Sequence, residues 1–181
     1  MKIYKLTHDS DGFKTINLRN SKLLNAIIDG FYNDGKPYGI DFGKYKWIES
    51  NEIICDFPFI SGAIPVVSKN ICRALEEYID KSNIELLPIK VEEEDFYIFH
   101  FLNAYKNILN TKLSKIEYFN NGTIKNIKEY VFLSKVKDIA PIFILEDFDM
   151  YTFVNEEVAN VFSNYEGSGI QLEECRIDAI L

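Results

Sequence analysis

A chain of 181 residues, 47% apolar and 14% aromatic, is long enough to bury one core without disulfide or metal staples and too apolar to stay disordered. A net charge of −8 argues against nucleic-acid and membrane-surface roles, because affinity for phosphate and anionic lipid comes from clustered Lys and Arg. No apolar run approaches the ~20 residues of a membrane helix, the first residues lack a signal peptide's apolar block, and the scattered Cys55, Cys72 and Cys175 suit reduced thiols, so a cytoplasmic location is expected.

Residues 1–60 are the least regular part. Residues 3–6 alternate like a strand, and Leu23, Leu24, Ile27, Ile28 and Phe31 line one helical face. Turn signals follow at Asn33-Asp34-Gly35, Pro37, Gly39 and Gly43, and Trp47 is expected to cap the core. Residues 64–67 read as a strand, with Ser68 as N-cap of a helix whose inner face is Ile71, Ala74, Leu75, Tyr78 and Ile79. Residues 84–91 form the next strand, where Pro88 implies an edge or bulge. After the charged turn Glu92-Glu93-Glu94-Asp95 comes the most apolar strand, 96–102.

Residues 103–115 fit a helix or a loop. Residues 116–119 and 123–127 flank Asn121-Gly122, a type I′ hairpin signal. Residues 130–133 and 142–145 are further strands. A strand at 151–154, the cap Asn155, a helical face of Val158, Val161, Phe162 and Tyr165, and a returning strand at 170–174 then repeat the plan of 64–91. Laid over one another, Ile71 matches Val158, Leu75 matches Phe162, and Tyr78 matches Tyr165. The expected fold class is α+β, a mixed or largely antiparallel sheet with two strand–helix–strand pseudo-repeats, 64–91 and 151–174, whose helices cover a common sheet. A single domain spans 1–181.

The sequence holds no Gly-rich phosphate loop, nucleophile elbow, His-Glu-x-x-His or Cys-x-x-Cys. His8 lies in a polar turn and His100 in an apolar strand, where hydrogen-bonded structural roles are expected. A nucleophilic cysteine would need Cys55, Cys72 or Cys175 beside one of them in space. No ligand spacing points to a metal, and no cofactor is expected. Asp147 and Asp149 lack the glycine and terminal Glu of an EF-hand. The remaining candidates are the carboxylate clusters. Glu92, Glu93, Glu94, Asp95, Glu146, Asp147 and Asp149, with the interspersed aromatics Phe148 and Tyr151, make a candidate partner-binding surface that is acidic and suits a basic protein.

Three stretches carry a family likeness: residues 135–143 (Lys-Val-Lys-Asp-Ile-Ala-Pro-Ile-Phe), 151–158 (Tyr-Thr-Phe-Val-Asn-Glu-Glu-Val) and 169–174 (Gly-Ile-Gln-Leu-Glu-Glu). Phe57-Pro58 followed by Pro65-Val66-Val67-Ser68 adds a fourth, and Asp34-Gly35-Lys36-Pro37 ahead of Trp47 a fifth. Together they resemble the bacterial immunity proteins of polymorphic toxin systems, the families called immunity protein eleven and immunity protein forty-three. The resemblance implies a cytosolic antitoxin that binds and neutralises a toxin made by the same cell, and it transfers no catalytic residue. Two other readings stay open on the residues: a non-catalytic adaptor, and a hydrolase using paired carboxylates or Cys55 with a histidine.

Overall fold

The computed structural model describes residues 1–9, 11–17, 44–47, 52–60, 64–146, 151–165 and 169–178. The expected helical face at Leu23–Phe31 and the Asp34–Pro37 turn lie outside the described residues, as do Asp147, Phe148 and Asp149. In chain order the described elements are β1 (Ile3–His8), β2 (Ile16–Asn17), β3 (Lys44–Trp47), β4 (Phe59–Ile60), β5 (Ile64–Ser68), α1 (Lys69–Ala74), β6 (Ile84–Val91) and β7 (Glu94–Phe101). They continue with β8 (Lys115–Tyr118), β9 (Ile124–Glu129), β10 (Val131–Phe132), a 3₁₀ turn (Ser134–Asp138), β11 (Ile142–Ile144), β12 (Thr152–Asn155), α2 (Glu156–Ser163) and β13 (Ile170–Ile177).

The strands form two main sheets, so the molecule is sheet-rich with few helices. One sheet is five-stranded in the order β10-β13-β1-β12-β11; the other closes as a small barrel, β2-β3-β6-β7-β5-β4. β8 and β9 make a separate hairpin. The part read as irregular therefore supplies strands to both sheets, and β1 is the central strand of the first. β7 shows no alternation because both its faces are covered: Phe96, Ile98, Phe99, His100 and Phe101 are all buried. Pro88 sits on β6 beyond the short pairing with β3, which covers only Lys44↔Lys90 and Tyr45↔Val91, so its missing N–H faces a side with no described strand.

Each helix follows its own strand. Ser68 caps α1 by accepting from Ile71 N, and Asn155 caps α2 by accepting from Val158 N. α1 stops at Ala74, short of the expected Ile79, but the chain continues in overlapping turns through Leu75 N to Ile71 O (2.9 Å) and Ile79 N to Leu75 O (3.1 Å). The apolar period thus outlives the regular helix, and Ile71, Leu75 and Ile79 all stay buried.

The two helices do not cover a common sheet. α1 lies against β5 and β7 of the barrel, and α2 against β12 and β1 of the five-stranded sheet. The reason is strand pairing. β5 and β6 both pair antiparallel with β7, which lies between them, while β12 and β13 both pair antiparallel with β1. The helices nonetheless share one core: Ile71, Leu75, Val158 and Phe162 belong to a single buried cluster with barrel residues and with Leu6, Ile142, Ile144 and Val154. The Phe57 and Phe162 rings, 5.2 Å apart, span this join. Trp47 is buried edge-on to Phe96, as a core cap should be.

The other face of the five-stranded sheet carries Ile3, Phe143, Phe153 and Cys175. Phe132 of the edge strand β10 joins them, and Ile108, Ile127, Tyr130 and Val136, all from residues 103–140, cover them. This covering lobe contains the β8–β9 hairpin. Residues 103–115 form no regular helix in it; they join by bridges at Tyr105↔Leu145 and Leu109↔Phe132. The hairpin turn also departs from type I′, which needs positive φ at both central residues. Only Gly122 has it (φ 83°), and Gly122 N donates to Phe119 O at 2.9 Å, the pattern of a type I turn closed by a glycine bulge.

Candidate interaction surface

The acidic residues singled out in the sequence divide between the two sheets. Glu92–Asp95 make the β6–β7 corner of the barrel. Glu92 holds a left-handed φ of 56° and its N–H donates to Tyr45 O at 2.9 Å, so the corner is tied to β3. Glu92, Glu93 and Glu94 are exposed. Asp95 is instead neutralised: Lys90 Nζ donates to it at 2.7 Å and Lys69 Nζ at 3.2 Å. Those two ammonium groups, Lys90 first, hold its carboxyl below the ordinary aspartate range.

Glu146 follows β11 and forms an ion pair with Lys106, while its N–H donates to Tyr105 O at 3.2 Å. Tyr151 precedes β12 and is half-buried, with the Lys5 ammonium 4.8 Å from its ring centroid. Glu146 and Tyr151 thus belong to the five-stranded sheet and Glu92–Asp95 to the barrel.

Lys5 is the residue that sequence reasoning missed. On β1 it shares the face of Ile3, and its side chain is 89% covered, with Nζ 2.6 Å from Glu173 Oε2 on β13 and 5.6 Å from the Tyr130 centroid. A cation at the border of an apolar core needs such a partner, because desolvation without one is costly. The Tyr130 hydroxyl beside it is buried with no hydrogen-bond partner, and burial pushes its pKa up. The one signal in the sequence is a lone lysine at an odd position between Ile3 and Thr7.

The histidines and thiols are committed to structure. His100 is buried with Nδ1 2.9 Å from Oε2 of Glu85, its cross-strand partner. His8 stacks on Phe59 and sets Nδ1 3.1 Å from Gly169 O and Nε2 3.2 Å from Phe13 O. Burial pushes the Cys55 and Cys175 thiols up to about 12 and raises Cys72 as well. Such groups are protonated at neutral pH and poor nucleophiles. Cys55 and His8 both meet Gly169, and the Cys55 thiol donates to Lys14 O at 3.6 Å. A cleft of about 290 Å³ opens beside α2 and β13, and Tyr165 is the one ionisable side chain among its described walls. Among the described residues no group of three or more His, Cys, Asp or Glu could hold a metal ion, and no helix is long and apolar enough to cross a membrane.

Charge is unevenly divided along the sequence. Residues 103–140 hold seven lysines, two glutamates and one aspartate, a net +4; the chain total is −8, so the remainder carries −12. Whole-chain charge hides this division, and a count by segment would have found it. Lys106, Lys115 and Lys128 are paired with Glu146, Glu129 and Glu117. Lys112, Lys125, Lys135 and Lys137 form no ion pair with a described residue and are exposed. The same lobe exposes Leu113, Tyr118 and Phe119 by about half each (49%, 53% and 54%). No family model matches the chain, and no curated protein matches it either.

Proposed function

We propose that this chain is a cytoplasmic immunity protein that neutralises a cognate toxin by stoichiometric binding. The observation that carries the reading is the segregated charge. The residues outside 103–140 sum to −12, a balance that favours a basic partner and speeds its association. The exposed corner Glu92, Glu93 and Glu94 offers carboxylates for that contact, while Asp95 and Glu146 are each paired with lysine. The structural commitment of His8, His100, Cys55 and Cys175 favours binding over the hydrolase alternative.

The two strand–helix–strand units support the family likeness, which rests partly on the same residues. We read them as copies of one motif. Ile71 and Val158 are both fully covered, Leu75 and Phe162 are buried, Tyr78 and Tyr165 are half-buried, and each unit closes around an antiparallel strand from elsewhere in the chain. The test is isolation of the protein from its host with whatever it holds. A basic toxin recovered at one equivalent, whose growth arrest this chain relieves when co-expressed, is the expected result; a recovered partner that is no toxin favours the adaptor reading instead.

A further inference from the structure

We infer that the basic lobe of residues 103–140 docks on the acidic body of a second copy of this chain. The inference stands apart from toxin binding, which engages the acidic body alone. The lobe has the composition of an interface: two adjacent aromatics at the hairpin tip, Tyr118 and Phe119, each more than half exposed, with the exposed Lys125 next to Ile124, the cross-strand partner of Tyr118. Its tip is already ordered. Phe119 N donates to Thr123 O at 2.8 Å, and Asn121 Oδ1 accepts from Thr123 N at 3.1 Å and from Thr123 Oγ1 at 2.7 Å. An ordered tip gives up little conformational freedom on docking.

Charge complementarity selects the occupant. Two lobes repel each other at +4 apiece, and lysines on both hairpin strands bar the edge-to-edge pairing that a free two-stranded sheet otherwise invites. The complementary charge present in every solution of this protein is carried by its own residues outside 103–140, which sum to −12. A nucleic acid would meet the lobe's charge too, but the body three times as strongly charged repels a polyanion at close range. The lobe-to-body contact made twice about a two-fold axis closes as a dimer, each lobe on the other copy's body.

Sedimentation velocity of the purified full chain, over about a hundred-fold range of concentration at about 0.05 M and about 0.5 M salt, tests this. At low salt the mass should rise from that of one 21.0 kDa chain toward two, and fall back at high salt. Phe119→Ser with Lys125→Glu should weaken association by about tenfold or more. Lys81→Glu, the same charge change outside the lobe, should leave it in place. Thermal unfolding of each variant separates lost association from lost fold. A single chain under all conditions overturns the inference. So does association that the lobe variants do not move. Salt-sensitive binding of a short single-stranded DNA by a monomer, abolished by the same variants, would assign the lobe to nucleic acid and overturn it as well.

Discussion

Replacing Gly169 by alanine tests the seam where the five-stranded sheet meets the N-terminal part of the barrel. Gly169 has φ +74°, and a Cβ there would lie 2.8 Å from Cys55 Sγ, 2.9 Å from Cys55 Cβ and 3.3 Å from Phe13 Cγ. Its carbonyl also accepts from Asp9 N at 2.9 Å, so the backbone cannot swing away freely. A left-handed alanine costs roughly 1–2 kcal/mol and overpacking roughly 1–3 kcal/mol. A stiffer unfolded chain returns about 0.4–1 kcal/mol, leaving a net loss of about 1–4 kcal/mol. Urea unfolding followed by tryptophan fluorescence measures it, since Trp47 is buried in the same core as Phe57 and Phe59. In a Cys55→Gly background the two shortest contacts vanish, leaving Phe13 Cγ at 3.3 Å, and Gly169→Ala should then cost only about 1 kcal/mol. A loss below about 0.5 kcal/mol in the parent chain would refute the close passage of Gly169 over Cys55.

Other outcomes follow from burial and pairing. Phe162→Ala should destabilise by about 3–5 kcal/mol, because its ring is 2% exposed and joins the two sheets through Phe57, whereas Asn155→Ala should cost only about 1 kcal/mol for a lost cap; equal losses in urea unfolding would contradict this ranking. In native protein near pH 8 a thiol reagent should label Cys72 first and leave Cys55 and Cys175 until unfolding, since burial pushes both up to about 12; mapping by mass spectrometry decides it. The Asp95 carboxyl, lowered from 3.8 by Lys90 and Lys69, contributes stability that is present above its unfolded pKa and lost as pH falls through the lower folded value. Urea midpoints should therefore fall as the pH drops below about 4, and less so in Asp95→Asn; an identical fall in both proteins would count against the pair.

How much of this was legible depended on how local each signal is. The caps at Ser68 and Asn155 and the faces Ile71–Leu75 and Val158–Phe162 follow from spacing within one turn of helix, and they stand where the sequence put them. Strand partners do not follow from spacing. Nothing near residue 154 or 172 tells that β1, from the other end of the chain, lies between them. Barrel closure was illegible because β2 and β4 are two residues each, shorter than any periodicity. Asn121-Gly122 announced a hairpin, but turn type depends on φ at both residues and only Gly122 is positive. Lys5 was visible as a residue in an alternating strand; its burial comes from Glu173 and two tyrosine rings brought in by other strands. The acidic clusters were read as local runs of carboxylates, and the lysines that neutralise Asp95 come from α1 and β6.

The most direct test of neutralisation by binding is titration of the co-purified toxin's activity with this protein. A binder removes activity in proportion to the amount added, complete at one equivalent, and Glu93→Lys with Glu94→Lys should slow association several-fold at low salt with little change at high salt. Toxin that stays active in the presence of excess protein, or that is fully inactivated by a small fraction of an equivalent, would contradict the account, the second because only turnover can do it.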